Sequence, residues 1–301
     1  MWQQLRDQIR KGDSKALARS ISLVENEQEG YESLLSELQI TVSSKIIGIT
    51  GPPGAGKSTL ADGLIKEIIK EGKKVAVLCV DPSSPFHSGA VLGDRIRMNQ
   101  WYTNPDVYIR SLATRGSMGG LHPKIIEITE LVKSAGFDYI IIETMGVGQS
   151  EIEIVGLADT TVVVMVPEAG DEIQTMKAGL MEIADVFVVN KSDRPGADAF
   201  VKNLRQMMAP TFTTHKEEIP IVKTIASQHA GLPELFEKIK KLLEAVHEND
   251  KRHWLLAEKT WKIIQEQRMK DVSKIQLIEE IKNIEASSFN LHRFARRFYK
   301  D

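Results

Sequence analysis

A glycine-rich loop of eight residues constrains the fold of this chain more than any other feature. Residues 51–58 read Gly-Pro-Pro-Gly-Ala-Gly-Lys-Ser, which is the full pattern of a phosphate-binding loop. An apolar run at 46–50 leads into the loop, and Leu60, Leu64 and Ile68 follow it at helical spacing. A strand, this loop and a helix form a unit in which backbone N–H groups and a helix N-terminus surround phosphate groups.

The side chains of this loop are predicted to bind a nucleoside triphosphate together with Mg²⁺. Lys57 is expected to reach the β- and γ-phosphates and to take part in catalysis, and the Ser58 hydroxyl is expected to ligate Mg²⁺. Glycines let the backbone wrap closely around the phosphates. The other nucleotide-binding positions predicted here are Gly51, Pro53, Gly54, Ala55, Gly56 and Thr59.

The pattern of the chain around this loop predicts the fold class. Between residues 45 and 225, short β-branched runs alternate with longer helical patterns, as in a mostly parallel sheet covered by helices on both faces. The runs lie at 45–50, 74–80, 107–109, 139–143, 161–166, 186–190 and 219–225. The sequence therefore predicts a three-layer α/β P-loop fold.

Helical patterns flank this region and divide the chain into a segment at 1–43, a nucleotide-binding domain at 44–249 and an arm at 250–301. Asp13 or Ser14 is expected to cap an N-terminal helix. Two apolar stripes mark the arm: Trp254, Ala257, Trp261 and Ile264, then Ile275, Ile278 and Ile281. Such stripes are too apolar for an exposed tail, so a homodimer through 250–301 is predicted. The alternative is that both stripes pack on the nucleotide-binding domain.

A second motif predicts which base is bound. The apolar run at 186–189 ends in Asn190-Lys191-Ser192-Asp193. A carboxylate at Asp193 accepts hydrogen bonds from guanine N1–H and N2–H₂, which adenine does not offer in that arrangement. Asn190 is expected to brace the loop, and the Lys191 stem to lie over the ring. Ala226, after the run at 219–225, is predicted to donate its backbone N–H to guanine O6.

Three carboxylates are predicted to serve Mg²⁺ binding and catalysis. Asp81 and Glu143 end apolar runs, and Asp94 follows a glycine. Carboxylates at the carboxyl ends of parallel strands face the ligand crevice, where they hold Mg²⁺ or orient water. The alternative is that each acid only caps a turn or helix. Gly146 is predicted to contact nucleotide in a segment that rearranges when the γ-phosphate leaves.

Composition limits the classes of binding partner and the cellular compartment that we expect for this chain. The net charge of −2 argues against a general binder of nucleic acid or membrane surfaces. The one cysteine, Cys79, lies in an apolar run and is expected to be a buried thiol. A single cysteine cannot form an internal disulfide, which suits a reducing compartment. Since the longest apolar run, 162–167, is too short to cross a bilayer, a soluble cytoplasmic protein is predicted.

With these motifs placed, the chain resembles the MeaB/ArgK GTPases, the bacterial relatives of the human methylmalonic aciduria type A protein. The most specific resemblance lies in two blocks, Asp-Pro-Ser-Ser-Pro at 81–85 and Glu-Thr-Met-Gly-Val-Gly-Gln at 143–149. Further matches lie at 17–25, 92–98, 114–116, 170–174 and 190–193. Glu143, where other GTPases carry Asp, is a mark of this family.

The resemblance implies a role beyond GTP hydrolysis to GDP and phosphate. Members of the family act as chaperones of adenosylcobalamin-dependent acyl-CoA mutases, chiefly methylmalonyl-CoA mutase, with isobutyryl-CoA mutase also possible. They gate cofactor delivery and protect the mutase. By similarity, residues 170–177 form a third switch loop that signals to the mutase through Asp171 and Lys177, and 250–301 is a dimerisation arm. No cobalamin is assigned to this chain itself.

Three other functions fit parts of the sequence. A metal-insertion GTPase of the nickel-enzyme type shares the fold class but needs clustered His and Cys ligands, whereas the seven histidines here are scattered. A protein kinase acting on a transport-binding protein is a second, although nothing here resembles a kinase catalytic loop. A non-enzymatic interaction module is the third, and the intact Lys57 and Ser58 argue against it.

The base assignment predicts the effect of one substitution. Asp193→Asn is expected to weaken GTP binding and to favour xanthosine triphosphate, because the amide donates where the carboxylate accepts. Titration of both nucleotides against the wild type and the variant measures the change. An unaltered affinity for GTP in the variant would refute the assignment of Asp193 to guanine.

Overall fold

The computed structural model of this chain describes residues 1–39, 44–81, 98–115, 121–146, 150–169, 183–208, 219–244, 250–284 and 289–298. The chain divides into two compact units, Met1–Asn249 and Asp250–Asp301. The nucleotide-binding motifs lie in the first unit. Over the described ranges, no helix combines the length and the hydropathy needed to cross a bilayer.

A seven-stranded sheet forms the centre of the first unit. Its strands are β1 Lys45–Thr50, β2 Val75–Asp81, β3 Val107–Ala113, β4 Tyr139–Glu143, β5 Thr160–Met165, β6 Val186–Val189 and β7 Ile221–Lys223. They lie in the order β3-β2-β4-β1-β5-β6-β7, and each pair of neighbours is parallel. This confirms the predicted fold class, and it brings the carboxyl ends of all the strands to one edge.

Helices precede the sheet, connect its strands and follow it. Among the described residues of the first unit they are α1 Trp2–Arg10, α2 Ser14–Glu25, α3 Tyr31–Ser36, α4 Lys57–Lys70, α5 Ile125–Ser134, α6 Ser150–Leu157, α7 Ala197–Met208 and α8 Leu232–Glu244. In the second unit they are α9 Asp250–Arg268, α10 Lys274–Lys282 and α11 Leu291–Ala295. As predicted, the Asp13 carboxylate caps α2, accepting from the N–H groups of Lys15 and Ala16 at 2.9 and 3.1 Å.

Alternating side chains of β1 explain the three layers. Ile47 and Ile49 lie fully buried in one core cluster with residues of α4 and α8. Gly48 points to the opposite face, where a Cβ atom would come within 2.7 Å of Ile154 on α6. Because successive strand residues face opposite sides, one six-residue strand packs against helices on both of them. The missing side chain at Gly48 lets α6 approach the sheet closely.

The two edge strands differ from their predicted bounds. β3 continues past residue 109 to Ala113, through Arg110 and Ser111. At the edge of the sheet these polar side chains remain partly exposed, so they do not end the strand as they would in its centre. β7 covers only three of the seven residues predicted at 219–225, because it pairs with β6 alone over three positions.

Aspartates at the amino ends of three strands fix the register of the sheet. Asp159, directly before β5, accepts from the Ile46 N–H of β1 at 2.7 Å. Asp185, directly before β6, accepts in the same way from Thr161 of β5 at 2.7 Å. Asp138, directly before β4, accepts from the Lys74 N–H at 2.9 Å. These N–H groups at the start of a strand gain partners that the strand pairing does not supply.

The N-terminal helices join the sheet through the last turn of α2. Glu25 forms an ion pair with Arg110 of β3, whose guanidinium also donates to the Ser22 hydroxyl at 2.9 Å. Arg115, just after β3, donates to the Glu25 carbonyl and, at 2.9 Å, to the Asn26 side chain. The predicted N-terminal segment thus lies in the same compact unit as the sheet.

The second unit has a small aromatic core and exposed apolar stripes. The Phe294 ring lies 5.7 Å from that of Phe289 and 5.4 Å from that of Phe298. Most of the stripe residues named from the sequence are exposed: Trp254 by 61%, Trp261 by 60%, Ile264 by 40%, Ile275 by 72%, Ile278 by 52% and Ile281 by 37%. Large apolar side chains this exposed are uncommon on the surface of a monomer.

Candidate functional site

The phosphate loop connects β1 to α4, as its sequence predicts. Gly56, in the left-handed region at φ 91°, is the residue directly before α4. Lys57 begins the helix, and its buried ammonium group donates to the carbonyl oxygens of Gly51 and Pro52 at 2.9 and 3.1 Å. The side chain therefore folds back across its own loop, which holds a positive charge where the phosphates of a nucleotide are expected.

Two of the predicted carboxylates lie at the same edge of the sheet as the loop. The Ser58 hydroxyl donates to the Glu143 carboxylate at 2.7 Å, and both side chains are buried. Asp81, also buried, ends the strand next to β4, with its carbonyl oxygen accepting from the Thr114 N–H at 3.0 Å. The strand order thus places Asp81, Glu143 and the phosphate loop side by side.

Asn190 joins the phosphate loop to the loop after β7. Its side-chain amide donates to the Ala55 carbonyl at 2.9 Å. Its carbonyl oxygen accepts from the Thr224 hydroxyl at 3.1 Å and from the Ala226 N–H at 3.0 Å. The bracing role predicted for Asn190 therefore has a definite geometry, and Thr224 is a partner that the sequence analysis missed.

The rest of the predicted base loop lies around Asn190. Lys191 adopts a left-handed backbone at φ 55°, and its ammonium group donates to the Gly54 carbonyl at 2.8 Å. Asp193 is exposed, with its carboxylate accessible to a ligand. The Ala226 N–H, predicted to contact guanine O6, donates to the Asn190 carbonyl oxygen in this structure. A hydrogen bond from the same N–H to guanine would therefore be bifurcated. Its role toward guanine stays a prediction.

Two glycines are required where other groups approach the loop. A Cβ atom at Gly56 would lie 2.4 Å from the Asn190 amide nitrogen. At Gly146, with φ 80°, it would lie 2.3 Å from the Gly51 carbonyl oxygen and 2.6 Å from the Lys57 ammonium. The segment after β4 thus touches the phosphate loop directly, next to its lysine.

An ion pair connects the base loop to the residues after β5. Arg194, which follows Asp193, binds the Glu168 carboxylate, and both side chains are about half exposed. The hydrogen bond from Arg194 holds the pKa of Glu168 below its usual value. Because the pair is exposed to solvent, it orients the two loops with little contribution to stability.

The donor set fits Mg²⁺ better than a transition metal. Ser58, Glu143 and Asp81 offer only oxygen atoms, which Mg²⁺ prefers, and Mg²⁺ is commonly held by a few such ligands plus substrate phosphates. Over the part of the chain that the structure describes, no three His, Cys, Asp or Glu side chains form a metal cluster. Oxygen ligands such as Ser58 and Glu143 suit an Mg²⁺ ion that nucleotide phosphates also hold. Asp94, Asp171 and Lys177 lie outside the described residues.

The sequence analysis also missed a pair of threonines. The hydroxyls of Thr50 and Thr144 lie 2.9 Å apart, and both side chains are buried. Thr50 precedes Gly51 of the phosphate loop, and Thr144 follows Glu143. The only signal in the sequence is that each threonine stands next to a motif, which does not reveal that they meet.

These loops on this sheet define a P-loop GTPase, an enzyme that hydrolyses GTP. The chain belongs to the MeaB family. The model of that family, described as methylmalonyl-CoA mutase-associated GTPase MeaB, matches residues 17–280.

Relatives support this membership. A protein of Pyrococcus abyssi, named provisionally as a GTPase, is 47% identical over 279 residues, which are 91% of this chain and 85% of that protein. A fused isobutyryl-CoA mutase of Geobacillus kaustophilus is 38% identical over 236 residues, which are 74% of this chain and 22% of that mutase. The crystal structure of a LAO/AO transport system kinase has a TM-score of 0.68 and 25% identity, covering 99% of this chain and 96% of that one.

The close approach at Gly146 predicts a loss of activity on adding a single methyl group. In Gly146→Ala the new Cβ atom must push the segment after β4 away from Gly51 and Lys57, so kcat for GTP is expected to fall by about 10²-fold or more. Steady-state hydrolysis of GTP measures the effect.

Gly136 supplies a matched control. It has the same φ of 80°, but a Cβ atom there meets nothing within 4 Å. Gly136→Ala therefore carries the backbone strain alone, about 1 kcal/mol of stability, and should keep wild-type turnover. Equal rates for the two alanine variants would show that the contact at Gly146 has no part in hydrolysis.

Proposed function

We propose that this GTPase is a chaperone of an adenosylcobalamin-dependent acyl-CoA mutase. In this proposal GTP binding and hydrolysis gate the loading of adenosylcobalamin into the mutase and protect the mutase from inactivation. The observation that carries it is the relative in which a segment 38% identical to this chain is part of a fused isobutyryl-CoA mutase. A GTPase that is fused to a mutase is held next to it and can act on it. The family description also names association with a mutase.

Within the site, each residue has a proposed part in binding and hydrolysis. Lys57 neutralises charge on the β- and γ-phosphates, while Asn190 and Lys191 hold the base loop against the phosphate loop. Asp193 selects guanine. Ser58 and Glu143, with Asp81, would hold Mg²⁺, which when bound neutralises phosphate charge. The hydrogen bond between Ser58 and Glu143 supports this grouping, because it brings two of the proposed ligands together.

Asp94 and the third switch loop complete the proposal from family resemblance. Asp94 is proposed to join the metal and catalytic set, and residues 170–177 to report the nucleotide state to the mutase through Asp171 and Lys177. A loop that reports a state must bind the partner differently in the two states, so its loss should change coupling more than basal turnover.

Stimulation by the partner tests the chaperone function. GTP hydrolysis is to be measured alone and with purified methylmalonyl-CoA mutase or isobutyryl-CoA mutase. We expect one of them to raise the wild-type rate, and Lys177→Ala to keep the basal rate within about threefold while losing the stimulation. Transfer of adenosylcobalamin to the mutase is expected to lose its dependence on nucleotide in the same variant.

Lys238→Ala is the matched control, because Lys238 is an exposed lysine on α8. It should be stimulated like the wild type. If neither mutase changes the wild-type rate, the proposed partner is wrong. If Lys177→Ala is stimulated as strongly as Lys238→Ala, the loop at 170–177 does not signal.

We further propose that the protein is a homodimer through residues 250–301. The exposed apolar side chains of α9 and α10 support this, since a symmetric copy of the same surface would cover them. The proposal requires that the apolar stripes become buried when the dimer forms.

A charge placed in the stripe should dissociate the dimer. Ile275→Glu adds a carboxylate at a position 72% exposed in the single chain, and we expect it to convert a dimer to a monomer at micromolar concentration. Gln276→Glu adds the same charge about 100° around α10 from Ile275, outside the apolar stripe, and should remain dimeric. Light scattering of the full-length proteins distinguishes these states, and a monomeric wild type would exclude the proposed dimer.

A further inference from the structure

The Thr50–Thr144 hydroxyl pair lies between two parts of the site that must keep a fixed distance. Both side chains are almost fully buried, with 0% and 1% of their surfaces exposed, and their oxygens are 2.9 Å apart. Buried hydroxyls need partners, and each of these has the other. The pair is thus a specific hydrogen bond between β1 and the segment that follows β4.

This hydrogen bond extends the strand pairing by one residue toward the phosphate loop. The register of β1 and β4 ends with Ile49 opposite Glu143, and the Thr144 N–H then donates to the Ile49 carbonyl at 3.0 Å. Thr50 and Thr144 follow directly. Beyond Thr50 the backbone continues into the phosphate loop, and beyond Thr144 it continues to Gly146, which lies against that loop.

Each threonine of this hydrogen-bonded pair is next in sequence to a residue of the proposed site. Thr144 is bonded to Glu143, whose carboxylate accepts from Ser58 at 2.7 Å, and it lies two residues before Gly146. Thr50 is bonded to Gly51, whose carbonyl accepts from Lys57 at 2.9 Å. A small change in the distance between the threonines would therefore move both contacts together.

We infer that Thr50 and Thr144 are positioning residues for GTP hydrolysis. Their hydroxyl bond holds the segment 143–146 in register with the phosphate loop, and so holds Glu143 and Gly146 against Ser58 and Lys57. The inference rests on GTP hydrolysis at this site and is independent of the mutase partner. Since small displacements near reacting groups reduce the rate strongly, the register should affect kcat more than the binding of GTP.

Valine substitutions remove the bond while keeping the shape of the side chains. Thr50→Val, Thr144→Val and the double variant are to be compared with the wild type for kcat and KM with GTP, and for melting temperature. Each single variant is expected to lower kcat by about tenfold, because a buried hydroxyl loses its partner, with KM changed by less than about twofold. Thr144→Ser keeps the hydroxyl and should retain kcat within about twofold.

The double variant tests the inference even if a single variant folds poorly. It removes both hydroxyls, so no buried polar group is left without a partner, and it should fold. Because both substitutions break one bond, its kcat should be no lower than that of the slower single variant. A double variant at the wild-type rate, or one whose loss equals the product of the two single losses, overturns the inference.

Thr129→Val separates positioning from stability. Thr129 is equally buried, and its hydroxyl donates to the Ile125 carbonyl within α5 at 2.7 Å. Its substitution also removes a buried hydroxyl bond, and it should keep kcat because that bond joins two turns of a single helix. If Thr129→Val lowers kcat as much as Thr144→Val, or if Thr144→Ser is as slow as the valine variant, the threonine pair is only part of the core. A wild type that does not hydrolyse GTP would instead refute the GTPase itself.

Discussion

The carboxamide of Asn190 is the point on which the site depends, because it joins loops from three strands. Following β6, it donates to the loop after β1 and accepts two hydrogen bonds from residues after β7. Every polar group of this side chain has a partner, and it lies buried where its bonds are strong. Gly56 has no side chain at the position where the amide passes. The geometry of the base loop therefore follows from that of the phosphate loop.

Carboxylates have different roles at the two edges of the sheet. At the amino ends, Asp138, Asp159 and Asp185 each accept a backbone N–H from a neighbouring strand, and so fix the parallel register. At the carboxyl ends, Asp81 and Glu143 lie beside the phosphate loop, with Glu143 bonded to its serine. Because the register is set at one edge, the positions of the functional groups at the other edge are set as well.

The sequence predicted the central part of the fold well and the edges less well. The bounds of β1 and β4 agree with prediction, since both are apolar runs that end at a marked loop or acid. The predicted length of β3 was too short, because Arg110 and Ser111 are tolerated on an edge strand. The predicted length of β7 was too long, because apolar residues continue beyond its short pairing with β6. The phosphate and base loops were found because each motif has a fixed spacing and follows an apolar run. The Thr50–Thr144 bond could not be, because its residues are 94 positions apart and depend on the strand order.

The bracing of the two loops also lowers the conformational cost of binding a phosphate group. Lys57 and Lys191 donate to three carbonyl groups of the phosphate loop, and Asn190 donates to a fourth. Because these bonds hold the phosphate loop in one conformation, less conformational entropy is lost when phosphate oxygens bind its N–H groups.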